Sequence, residues 1–178
     1  MNLFSSKLHH GNTVLQIVSH VAMIVVAVAA TACYSFRGGS VPDHLKTISI
    51  ASTVDRSGFG NPAYREVSTE TLLSRFRTDN SLQVIEENGD ARLTPVIVRI
   101  KDQILNVSDA DREGQRKIVV AVEVEFFDAV KNKQVWKQTF ERFGVYDAAN
   151  ASTERDEAVR EAIRQISDDV LLQLVTDW

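Results

Sequence analysis

The chain has 178 residues, with 20 Lys and Arg against 24 Asp and Glu, a formal net charge of −4. That balance argues against a nucleic-acid binder, which carries a basic surplus. A single cysteine, Cys33, excludes an internal disulfide, so the fold must hold by burying apolar surface.

Val21 to Ala32 is the one long apolar run. It falls short of the roughly 20 residues a bilayer span needs. Its length is that of a signal-peptide h-region, and the small residues Ala30, Thr31 and Ala32 lead into Cys33. Two plainer readings of Cys33 are a small buried hydrophobe and a free thiol left by cleavage. The small-small-Cys ending resembles a bacterial lipobox, with Ala30 where such motifs carry Leu or Val. That resemblance implies a signal peptide over 1–32 and acylation of Cys33, followed by a tether over 33–45. Each buried methylene contributes about 0.8 kcal/mol, so several acyl chains together anchor a protein permanently. Tyr34, where an Asp would imply retention in the inner membrane, implies sorting to the outer membrane.

Residues 46–178 are expected to form a single α+β domain. Loss of Lys7 with the leader takes the net charge from −4 to about −5. Gly38, Gly39 and Pro42 interrupt regular structure in the tether. Tyr34 and Phe36 suit either the membrane surface or an edge of the protein's own core.

Lys46 to Val54 alternates, with Ile48, Ile50 and Val54 on one side, and predicts a first strand. The loop Arg56 to Pro62 leads into a helix from Ala63 to Asp79. Val67, Leu72, Leu73 and Phe76 form its apolar face, and Asn80 is its left-handed stop. Leu82 to Glu86 is a short strand, and Asn88-Gly89-Asp90 reads as a hairpin turn. Leu93 to Val107 is a long strand with Val96, Val98 and Ile100 alternating and a bulge near Asp102. Lys117 to Asp128 has the clearest alternation, Ile118 through Phe126 against Glu123 and Glu125. Gln134 to Tyr146 is the last strand. A long amphipathic helix follows, with Ser152 as N-cap and Val159, Ala162, Ile163, Ile166, Val170 and Leu174 at helical spacing. The expected fold is two helices on one face of a mixed, mostly antiparallel sheet of about four strands, in the order β-α-β-β-β-α.

No catalytic pattern emerges, so the chain reads as a non-enzyme with neither metal nor cofactor. His44 is the one histidine after the leader, and it lies in the tether, where nothing argues that it reaches the domain. One histidine cannot build a histidine-rich zinc site. Glu123 and Glu125 read as a solvated strand face rather than a paired-carboxylate site. Arg112, Arg116 and Lys117 cluster at the turn between two long strands, with Lys131 and Lys133 at the opposite end. They suit phosphate groups of an anionic lipid. They suit equally a solubilising role beside Asp109, Asp111 and Glu113.

Several stretches together resemble the LPS-assembly lipoproteins, the LptE family. They are Tyr34-Ser35-Phe36-Arg37-Gly38-Gly39 after the cysteine and the strand Lys46-Thr47-Ile48-Ser49-Ile50. Further on come Val122-Glu123-Val124-Glu125-Phe126-Phe127-Asp128, Val135-Trp136 after a turn, and the acidic helix ending at Trp178. The resemblance implies two helices on a four-stranded sheet. It implies an outer-membrane lipoprotein facing the periplasm, acting as plug and folding partner of the LptD β-barrel and assisting lipopolysaccharide delivery. Some members bind lipopolysaccharide through basic residues, for which Arg112, Arg116 and Lys117 are the candidates here. Apart from the resemblance, an activator of cell-wall synthesis or a secretion accessory fits the same pattern.

Overall fold

The computed structural model describes residues 41–108 and 112–176, with backbone alone at 107, 108, 112 and 113. Cys33, the 1–32 leader, most of the tether and Trp178 lie outside the described residues. The elements run β1 (Thr47–Ile50), β2 (Val54–Asp55), α1 (Ala63–Asp79), β3 (Gln83–Ile85), β4 (Ala91–Ser108), β5 (Arg112–Asp128), β6 (Lys133–Asp147) and α2 (Ala151–Thr176). The class is α+β as expected, but the sheet has six strands rather than about four. The strand expected over Lys46 to Val54 is broken into β1 and β2, and Val54 is exposed instead of buried. β3 is the short strand expected over Leu82 to Glu86.

The sheet order is β3-β1-β4-β5-β6, with β2 also against β4. β4, β5 and β6 form an antiparallel meander, while β1 runs parallel to both β3 and β4. Asn88-Gly89-Asp90 is therefore no hairpin. β3 and β4 flank β1 on either side, so residues 86–90 must cross it. Gly89 lies flat on the β1 backbone, where a Cβ would sit 2.5 Å from Ser49 N and 2.8 Å from the Ile48 carbonyl carbon. Asp90 then ties the crossing down. Its Oδ2 accepts from the backbone N–H of Lys46 (2.9 Å) and of Thr47 (3.0 Å) and from the Thr47 hydroxyl (3.0 Å).

The bulges of β4 fall at Val98 and Leu105, not at Asp102, which stays in register with Ile118. The bulge at Val98 changes the phase of the strand. Leu93, Ile97 and Ile100 are buried, and Val98 turns outward.

Both helices cover one face. On α1 the buried stripe is Tyr64, Ser68, Leu72 and Phe76, a strict four-residue spacing. Asn80 closes the helix in the left-handed region with its N–H on the Phe76 carbonyl, as expected. A 3₁₀ turn, Ala148–Asn150, precedes α2, and the capping residue is Asp147 rather than Ser152. Asp147 accepts from the Ala149 N–H, and Glu154 reaches back to the Asp147 N–H. The two bonds tie the 3₁₀ turn to the first turn of α2. α2 buries Val159, Ala162, Ile163, Ile166, Val170 and Leu174, the residues its spacing predicts. It lies close on β6: a Cβ at Gly144 would overlap the backbone of Ala158.

Candidate functional site

The sheet face opposite the helices is open, and β5 shows how it is made. Alternation sends Ile118, Val120, Val122, Val124 and Phe126 under the helices, all but fully buried. Val119, Ala121, Glu123 and Glu125 therefore stand on the open face. Register places Arg99 and Glu141 on either side of Ala121, and the two are ion-paired across it. Ala121 is wholly buried beneath them, although it lies on the helix-free side. One step along, Lys137 Nζ is 2.9 Å from Glu123 Oε1. Arg92 lies over the Phe127 ring at 4.8 Å. The charges at the middle of the open face are thus paired across the strands.

The three basic candidates do not form one patch. Adjacent residues of a strand point to opposite faces. Arg116 shares the parity of the core-facing residues, and Lys117 stands on the open face. Arg116 Nε is 2.9 Å from Asp102 Oδ1 and donates to the Tyr146 hydroxyl oxygen at 3.1 Å. Tyr146 in turn donates to Asp102 Oδ2 at 2.5 Å. Burial, and then acceptance of its proton by Asp102, hold the Tyr146 hydroxyl above the ordinary tyrosine range. This triangle joins β4, β5 and β6 beyond the hydrophobic core. It was readable in outline: an arginine at a core-parity position of a strand needs a carboxylate partner.

Lys117 Nζ sits over the Phe143 ring, 5.6 Å from its centroid. Lys101 pairs with Val119, the next open-face residue of β5, so Lys101 and Lys117 lie one diagonal apart. Phe143 and Val145 on β6 are exposed on the same face, paired with Val119 and Lys117. The result is a pair of lysines bordered by apolar side chains. Lys101 and Phe143 escaped notice in the sequence because only the β4–β5–β6 register brings them beside Lys117. The Arg112 side chain and residues 109–111 lie outside the described residues. Lys131 and Lys133 are exposed at the other end of the β5–β6 hairpin.

His44 does reach the domain, contrary to expectation. Its Nε2 donates to Asp128 Oδ2 at 2.7 Å, while Asp128 Oδ1 accepts from the Lys131 N–H at 2.8 Å. Burial raises the Asp128 pKa, but the bonds from His44 and Lys131 outweigh it and the carboxyl titrates below its usual range. The contact is a brace: it joins the entering chain to the β5–β6 turn, with Leu45 buried beside it. Among the described residues no three His, Cys, Asp or Glu side chains gather as metal ligands. No helix of the described residues is long and apolar enough to cross a membrane.

A family model for lipopolysaccharide assembly, LptE, matches residues 45–174. The chain belongs to the LptE family. The match takes in every element from β1 through nearly all of α2. Comparison with curated proteins returned no significant match. Among solved structures, the rare lipoprotein B from Shewanella oneidensis is 16% identical, covering 72% of this chain and 93% of its own, with a TM-score of 0.51. A protein from Xanthomonas campestris is 12% identical over 77% of this chain and 88% of its own, at a TM-score of 0.54. A minor lipoprotein from Acinetobacter baumannii is 12% identical over 75% and 93%, at 0.50. At these identities the likeness is one of fold. This LptE-family chain therefore shares its α+β fold with these structures.

Proposed function

We infer that the chain is an outer-membrane lipoprotein, held by acyl chains on Cys33 with its domain on the periplasmic side. There it acts as plug and folding partner of an LptD-type β-barrel and contacts lipopolysaccharide directly. The family match over residues 45–174 carries the reading. The open face is compatible with it: a plug must be rigid and polar-walled, because a large barrel lumen is polar. The ion pairs over Ala121 and at Glu123 give such a wall. The protein works by binding and needs no catalytic step.

For the lipid, Lys117 is the central contact, with Lys101 beside it and Arg112 at the start of the same strand. Cations next to apolar side chains match a phosphorylated, acylated sugar. Arg116 serves indirectly, by holding the hairpin through Asp102 and Tyr146.

Two experiments test this. Purification of the acylated protein from membranes should recover a stable complex with a large β-barrel; recovery with a peptidoglycan synthase instead would overturn it. Cys33→Ser should leave the chain unacylated and its leader uncleaved, read by mass spectrometry; normal maturation of that variant would refute the anchor.

A further inference from the structure

The β5–β6 turn, residues 129–132, carries an exposed aliphatic side chain at its tip. Val130 is 57% exposed there. Lys131 and Lys133 are exposed on either side of Asn132, whose left-handed φ of 50° closes the turn. The turn is braced from behind. The Ala129 N–H donates to the Asp90 carbonyl at 2.8 Å, and the Lys131 N–H to Asp128 Oδ1 at 2.8 Å. Val130 sits between these two bonds, so its side chain is held outward and cannot fold back onto the core.

The same brace fixes where the chain enters the domain, because His44 holds the other oxygen of Asp128. His44 is eleven residues after Cys33, so at most about 40 Å of extended chain separates Cys33 from the foot of β5. Lys117 lies eleven residues back along β5, about 36 Å up the sheet. The entry end is cationic at its surface. Lys46, Lys131 and Lys133 are exposed there, against Asp43. Asp90 and Asp128 are turned inward on donors of the domain. Glu86 and Glu87 belong to the segment crossing β1, two strands from β5 and so about 10 Å away, a Debye length.

An exposed aliphatic tip between lysines suits the boundary of a bilayer. The methyl groups enter among the headgroups and the ammonium groups meet lipid phosphates. Each lysine strengthens such a contact about fivefold at an anionic surface, too little to hold an untethered protein. A chain anchored in the same surface needs no more, because a short tether supplies an effective concentration in the millimolar range.

We propose that the β5–β6 turn is a second membrane contact: Val130, with Lys131 and Lys133, docks on the anionic phospholipid leaflet that holds the acyl chains. The contact rests on the acylation of Cys33 inferred above and on neither the barrel nor the lipopolysaccharide contact. It stands the domain on its entry end and points Lys117 away from that leaflet.

The full acylated chain on vesicles of phosphatidylethanolamine and phosphatidylglycerol tests this. Acylation consumes the one native thiol, so Val130→Cys gives the mature chain a single site for an environment-sensitive fluorophore. That label should shift to the blue on vesicles and be quenched by lipids carrying a nitroxide in the headgroup. A label at Ala149→Cys, exposed past the far end of β6, should do neither. Lys131→Glu with Lys133→Glu should lower the ratio of docked to undocked turn on the order of tenfold, while the protein still floats with the vesicles. A floating chain whose Val130 label stays in water, equal quenching at both labels, or an undiminished shift in the lysine variant would each overturn the turn contact and leave the anchor standing. A chain that does not float overturns the anchor, and the contact with it.

Discussion

Arg99 of β4 and Glu141 of β6 meet across the strand between them, and Ala121 of β5 is sealed underneath. The pair is about half exposed at both ends, so its direct contribution is modest, about 0–1 kcal/mol. Glu141→Ala should lower unfolding stability by less than about 1 kcal/mol in urea titration. The same variant should raise solvent access at Ala121, visible as faster amide exchange in the middle of β5.

Two glycines should tolerate no side chain. Gly89 lies on the β1 backbone and Gly144 lies under Ala158. In both cases the obstacle is backbone, which cannot rotate aside. Gly89→Ala and Gly144→Ala should each cost about 2–3 kcal/mol, as forced overpacking does. Gly58→Ala is the control, since its added Cβ meets nothing within 4 Å. Its positive φ alone should cost about 1 kcal/mol. Equal losses at all three positions would remove the packing argument.

The Asp102–Arg116–Tyr146 triangle should behave as a unit. Arg116→Ala and Tyr146→Phe should each cost about 1–3 kcal/mol by leaving a half-buried partner short of a bond. Combined, they should cost less than the sum, because both remove support from Asp102. Chemical denaturation of the two single variants and the double variant measures the coupling. Arg116→Glu would set two carboxylates side by side, so loss of lipid binding in that variant would not distinguish contact from fold.

Lys117 is the cleaner probe of the lipid contact. Lys117→Ala should reduce affinity for lipopolysaccharide several-fold while changing stability by about 0.5 kcal/mol or less, as surface substitutions do. Unaltered binding, measured by calorimetry or by displacement of a labelled lipid, would remove Lys117 from the contact.

Acid should destabilise the protein through two named carboxylates. Asp90 is held below the usual carboxylate range by the Lys46 N–H, the Thr47 hydroxyl and the Thr47 N–H. Asp128 is held there by His44 and the Lys131 N–H, against the opposing effect of burial. A depressed folded-state pKa contributes stability that is complete above the unfolded value. That stability is lost as pH falls through the folded value, here below about pH 4. Asp128→Asn should lower stability at neutral pH and flatten the acid limb of a stability–pH curve. An acid limb unchanged in Asp128→Asn would refute this role.

Much of the fold was legible because its signals are local. α1 runs from Ala63 to Asp79 and stops at Asn80, as the spacing and the left-handed stop predict, and the buried residues of α2 follow helical periodicity. The sheet was harder. β1 and β3 are too short to announce their neighbours, and nothing in Asn88-Gly89-Asp90 distinguishes a hairpin from a crossing over a third strand. That distinction depends on β1 lying between β3 and β4, a relation between distant segments. The candidate site was legible in part for the same reason. The parity of Arg116 and Lys117 is local, but Asp102, Tyr146 and Phe143 join them only through register. Single-residue bulges at Val98 and Leu105 reset that register without leaving a mark in the sequence.

The crossing over β1 also has a mechanical meaning. β1 is the first strand met by any pull arriving from the N-terminal side, and it is bonded to a parallel neighbour along each edge. Tension along its axis therefore loads both rows of hydrogen bonds in shear, where they yield together rather than one at a time. The segment carrying Gly89 lies across the strand like a strap, and His44 on Asp128 takes up the first slack. The domain is built so that its first strand resists being peeled away from its neighbours.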